Sequence, residues 1–161
     1  MIRLSEHFNL EEFGKGIPAV CVPVFGIMCV EILEPIREYV EQAIYISSGY
    51  RSPEENASPE VHGQKDSEHM ATADYCAVDF FCPNVSKVFD WLRNNETLPY
   101  HQLILEKGKL GYIIHISFNR LKPGVRSVLF GATHNSQPYQ EVVHVAFKPF
   151  PIDQREVTQA I

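Results

Sequence analysis

Apolar positions recur along the chain first at helical and then at strand spacing. Phe25, Met28, Ile32, Leu33, Ile36 and Val40 share one helical face and predict a helix over about 24–42, distorted near Pro35. Ahead of it, Asn9 caps a short helix at Leu10-Glu11-Glu12-Phe13, stopped by Gly14 and Gly16. The β-prone run 43–47 predicts a strand that leads into the turn Gly49-Tyr50-Arg51. Ser52 and Pro53 form an N-cap and first-turn pair for a short helix through Asn56. Residues 57–75 show no periodicity and read as a long loop, a length that small domains usually keep for function.

Further strands are predicted over 76–81, 102–106, 112–118 and 126–130, the middle two forming a hairpin around Lys107-Gly108-Lys109. Asn84 or Ser86 caps a helix with Val85, Val88, Phe89 and Leu92 on one face. A β-like run over 142–147 precedes a polar tail expected to be partly mobile. Helices come first, then strands mixed with helices and joined by hairpin-type connections. This order predicts an α+β fold with a mainly antiparallel central sheet flanked by helices, not a doubly wound parallel one. The length of 161 residues favours a single domain.

Composition excludes more than it assigns. An apolar fraction of 45% with 11% aromatics suits a packed core. The net charge is -6 and the basic residues are scattered, so nucleic acid is not expected as a partner. The cysteines at 21, 29, 76 and 82 form no C-x-x-C pair and read as buried thiols in a reducing compartment. No basic segment followed by an apolar one opens the chain, and no apolar run approaches the length of a membrane span. The expectation is a chain that is cytoplasmic as synthesised. No pattern speaks to oligomeric state.

Two residues break the apolar pattern. Asp79 lies between Val78 and Phe80, and His115 lies within Tyr112-Ile113-Ile114-His115-Ile116-Ser117-Phe118. A buried carboxylate is costly unless it is paired or ligates a metal. With His69 from the preceding loop, they suggest a His-Asp-His metal site. Strand parity puts Asp79 on the face of Ala77 and Phe81, and His115 on that of Ile113 and Ser117. If those strands are neighbours, the two ligands converge.

Several further pieces accompany this trio. They are Ser48-Gly49-Tyr50-Arg51-Ser52-Pro53, Asn56, Gly63, Ser67-Glu68-His69, Ala77-Val78-Asp79, Gln102-Leu103-Ile104-Leu105-Glu106, His115-Ile116-Ser117-Phe118 and Arg126-Ser127-Val128-Leu129. Together they resemble the zinc D-Ala-D-Ala carboxypeptidase family, over roughly residues 4–130, with 131–161 as a C-terminal extension. That family includes bacterial cell-wall peptidases and phage endolysins and shares the hedgehog/DD-peptidase fold. The resemblance implies one zinc ion held by His69, Asp79 and His115. It also implies hydrolysis of peptide bonds involving D-amino acids in peptidoglycan peptides, and Arg51 as the binder of a substrate carboxylate. Glu106 is implied as the catalytic base, with Glu141, of Glu141-x-x-His144, as runner-up. Ser67 and Gln102 are candidates for contact with substrate. The family usually has a glycine soon after the first histidine and a shorter gap to the aspartate. Here Met70-Ala71-Thr72-Ala73-Asp74-Tyr75-Cys76 intervenes, and Asp74 becomes a rival ligand.

Three functions stay open at this stage. They are an active carboxypeptidase or endopeptidase, such as an endolysin that reaches the wall by phage-type release; a zinc-containing binding module without turnover; and a structural phage component without metal.

Overall fold

The computed structural model of the protein describes residues 1–61, 63–108, 111–131 and 140–141. Among these, six strands form one sheet in the order β1-β2-β4-β3-β5-β6. They are Tyr45–Ser48 (β1), Tyr75–Phe81 (β2), Gln102–Gly108 (β3), Gly111–Asn119 (β4), Ser127–Gly131 (β5) and Gln140–Glu141 (β6). Every neighbouring pair is antiparallel except β3 and β5, which run parallel. The fold is thus α+β with a mainly antiparallel sheet, as the sequence pattern predicts. The run 142–147 and the polar tail lie outside the described residues.

The first long apolar pattern becomes one continuous helix, Ala19–Val40. Its turn at Cys29–Leu33 is π-helical. Pro35 has no N–H, and its ring crowds the carbonyl four residues back, at Glu31. A widened turn just before the proline relieves that crowding. The distortion expected near Pro35 is therefore this π-turn. The helix ends where Glu41 turns left-handed, at φ 57°. By length and composition alone the helix is long and apolar enough to cross a bilayer, which corrects the expectation that no run approaches that length. Its inner face is core instead: Val24, Phe25, Met28, Cys29, Ile32, Leu33 and Ile36 are all buried.

The helix Val85–Asn94 starts after Asn84, whose φ of 52° is left-handed. It buries Val85, Val88, Phe89 and Leu92, the face that the spacing predicts. Trp91 stacks on Tyr39 of the long helix, with ring centroids 4.2 Å apart and planes 7° from parallel.

The helices and one sheet face close around a common core that includes Cys76, Val78, Phe80, Leu103, Leu105, Ile114 and Ile116. Alternation along a strand sends the intervening residues to the other face. Those residues are Ala77 and Asp79 on β2, Ile104 and Glu106 on β3, and Ile113, His115, Ser117 and Asn119 on β4. The sheet thereby separates an apolar, helix-covered side from a side where chemistry-bearing residues collect.

Candidate metal centre

Asp79 and His115 are directly opposed across β2 and β4. Opposed residues of an antiparallel pair lie on the same face a few ångströms apart. His69 arrives from the loop before β2. Its Nε2 lies 3.2 Å from Asp79 Oδ1 and 3.2 Å from His115 Nδ1, while His115 Nδ1 lies 2.8 Å from Asp79 Oδ1. His69 and Asp79 are 3% and 6% exposed, so these atoms meet almost out of water.

The turn that receives His69 is built by close packing. Tyr50 N–H donates to the carbonyl of Phe13 at 2.6 Å. A Cβ on Gly49 would stand 2.4 Å from that same oxygen, so no side chain fits there. His69 Nδ1 lies 2.7 Å from the carbonyl of Gly49, which can only accept, so Nδ1 carries the proton. Arg51 N–H donates to the carbonyl of His69 at 3.0 Å. The Arg51 guanidinium donates from Nη2 to Asp79 Oδ2 at 2.9 Å and from Nε to Ser48 Oγ at 3.0 Å.

Downstream, Ser52 Oγ accepts from the N–H of Glu55, and the Glu55 carboxylate accepts from the N–H of Ser52, closing the one-turn helix Pro53–Asn56. Asn56 then holds the loop by donating from Nδ2 to Gln64 O at 2.8 Å. A Cβ on Gly63 would stand within 2.0 Å of Asn56 Oδ1, which explains a glycine at that point.

The donor set fits a metal. Burial holds His69 below its ordinary pKa, against the pull of the Asp79 carboxylate, so the ring is neutral. A neutral His69 protonated at Nδ1 aims a bare Nε2 at a carboxylate oxygen and at the other imidazole nitrogen. Lone pairs brought this close repel unless a cation or proton lies between them. Ligand atoms about 2 Å from one tetrahedral zinc are roughly 3.3 Å apart, close to the spacings seen here. Among the described residues, His69, Asp79 and His115 are the group whose ligand atoms all converge within 4.8 Å.

A family model for peptidase M15 matches residues 6–116, more than half of the chain. The chain belongs to the peptidase M15 family. Membership supports a zinc-dependent metallopeptidase, and His69, Asp79 and His115 form a group that could hold a metal ion. No curated protein and no solved structure matches the chain.

The other sequence candidates of this M15 family member fall at varied distances from the trio. Ser67 Oγ accepts from the N–H of His69 at 3.4 Å and so caps the ligand's backbone. Asp74, the rival ligand, instead takes Arg120 Nε on Oδ1 at 2.6 Å, and it is not part of the converging group. Glu106 is 5% exposed and lies on the metal face. A pairing of Gln102 with His115 would set Glu106 opposite Gly111. Ile104 in fact pairs with His115, and Glu106 with Ile113. The shift is two residues, so every side chain keeps its face. Gln102 shares that face by alternation, and its N–H donates to Ser117 Oγ at 3.1 Å. Glu141 lies in β6, which β5 and β3 separate from β4. His62, His134 and His144 lie outside the described residues.

One buried polar group was not anticipated from the sequence. Glu68, beside His69, is 8% exposed. Its carboxylate accepts from His101 Nδ1 at 2.9 Å and from Asn119 Nδ2. The available signal was alternation: His115, Ser117 and Asn119 put three polar side chains on one strand face.

Proposed function

We propose that this M15 family member hydrolyses peptide bonds involving D-amino acids in peptidoglycan peptides, as a zinc D-Ala-D-Ala carboxypeptidase. The convergence of His69 Nε2, Asp79 Oδ1 and His115 Nδ1 within 4.8 Å carries this reading. Three protein ligands leave one coordination position open, the arrangement of catalytic and not of structural zinc.

Zinc held there supplies Lewis acidity toward a water molecule and the scissile carbonyl. With zinc bound, the Glu106 carboxylate would serve as the base that takes a proton from water and returns it to the leaving amine. The backbone carbonyl of Gly49 keeps His69 in the tautomer that presents Nε2. Arg51 orients Asp79 through Nη2 and keeps further N–H donors for a substrate carboxylate.

The commitment of Arg51 to Asp79 and Ser48 favours a second reading, an endopeptidase that cuts within the peptide cross-link. Such an enzyme needs no arginine reserved for a terminal carboxylate. Mass spectrometry of products from purified muropeptides, with and without a chelator, separates the two. Release of a single terminal D-amino acid indicates the carboxypeptidase. Internal cleavage indicates the endopeptidase. No chelator-sensitive product sinks both.

A further inference from the structure

Glu68 presents a physical puzzle. A buried carboxylate is expensive to desolvate, and apolar residues of similar volume often serve stability equally well. Its partners have a common origin. Asn119 lies on β4, four residues beyond His115 on the same face. His101 is itself fixed to the sheet: its N–H donates to Ser117 O at 2.8 Å, and its carbonyl accepts from Ser127 N–H at 2.8 Å. Glu68 therefore ties the loop to the very strand that carries one ligand, at the residue next to another.

His69 needs such a tie. Among its described residues, the chain from Ala57 to Asp74 contains no helix or strand. On one side His69 is held by the arginine turn, through Gly49 O and Arg51 N–H. These contacts set the ring against β1 and the first short helix. They do not set it against β4, where His115 stands. The Glu68 carboxylate supplies that second anchor, with both oxygens within 3.0 Å of His101 Nδ1 and Oε1 also bonded to Asn119.

We propose that Glu68 is a positioning residue of the metal centre: bonded to His101 and Asn119, it fixes the His69 imidazole relative to His115. The proposal rests on the reading of His69, Asp79 and His115 as zinc ligands. It adds that a carboxylate outside the coordination sphere sets the affinity of the site.

The test compares the wild type with Glu68→Ala, Glu68→Gln and Asn119→Ala. Zinc affinity is measured by competition with a chromophoric chelator, the visible spectrum is recorded after cobalt substitution, and urea unfolding of the metal-free proteins monitors the fold. Loss of an outer-sphere partner typically weakens metal binding about 10–100-fold. Glu68→Ala should fall in that range, with a changed cobalt spectrum and cooperative unfolding retained. Glu68→Gln, which keeps the size and one acceptor, should fall between it and the wild type. A folded Glu68→Ala protein with wild-type zinc affinity and an unchanged cobalt spectrum overturns the proposal, leaving Glu68 a structural residue. Should Glu68→Ala fail to fold, wild-type affinity in both Glu68→Gln and Asn119→Ala overturns it equally. A wild-type protein that binds no zinc defeats the metal reading itself, and this proposal with it.

Discussion

The ring of His69 donates from Nδ1 to the carbonyl of Gly49 at 2.7 Å, and Gly49 packs so tightly on Phe13 that it has no room for a side chain. The tautomer of a buried imidazole is thus decided by a backbone turn 20 residues earlier. Gly49→Ala forces the turn away from Phe13. The expected result is a stability loss of about 1–3 kcal/mol, as for other overpacked sites. Zinc affinity should fall about 10-fold or more as the outer-sphere bond to His69 is lost. Urea unfolding and chelator competition measure the two effects.

Glu106 and the ligands should separate cleanly by phenotype. Glu106→Gln keeps the shape of a buried side chain on the metal face but removes its basicity. Zinc content should stay stoichiometric while turnover of muropeptides drops about 10²–10⁴-fold. His69→Ala, Asp79→Ala or His115→Ala should instead abolish zinc binding. Elemental analysis alongside a product assay distinguishes the two outcomes.

Metal removal should be visible in stability. A ligand that binds only the folded state adds about 2.7 kcal/mol at a free concentration 100 times its dissociation constant. Chelator treatment should therefore lower Tm by several degrees, and zinc should restore it. The same treatment should leave the Tm of Asp79→Ala unchanged.

The four cysteines should be silent toward thiol reagents in the native protein. All four are buried and free. Burial pushes the Cys29 and Cys82 thiols up to about 12, Cys76 well above its ordinary value, and Cys21 upward. Raised thiols shut away from water offer a reagent less thiolate than free cysteine does. A colorimetric thiol assay should detect no group in the folded protein and four in denaturant.

Acid should selectively loosen the N-terminal segment. Glu34 accepts from His7 N–H and pairs with His7 Nδ1, each at 2.8 Å. Burial raises the Glu34 carboxyl, but the bonds from His7 help outweigh this and hold it below its ordinary 4.5. A lowered carboxylate stabilises the fold above its unfolded pKa, and that contribution is lost as pH falls through the folded one. Glu34→Gln should thus cost about 1 kcal/mol at pH 7. The gap to the wild type should close progressively below about pH 4.5. Parallel urea titrations across that range provide the check.

Much of this was legible in the sequence because the signals were local or strictly periodic. The strands holding Asp79 and His115 announced themselves as apolar runs that these two residues break, and the one-turn helix at Pro53 by its cap. The joint motif around Arg51, His69 and Glu106 pointed to the M15 family. What escaped depended on contacts distant in the chain. The β3–β4 register is set by which apolar residues meet the helices, so Ile104 and not Gln102 faces His115. The bonding of Arg51 to Asp79 and that of Glu68 to His101 and Asn119 each join segments 28 or more residues apart, beyond the reach of any local pattern.

The direct pairing of Asp79 with His115 has a bearing on when the molecule becomes competent. The partners are 36 positions apart, and His69 is 46 from His115. No partial chain that stops short of β4 holds the full donor set, and non-local pairings of this kind form late. Competence would then arise only once β4 has paired with β2, a built-in safeguard against a hydrolase acting on its surroundings while still half made.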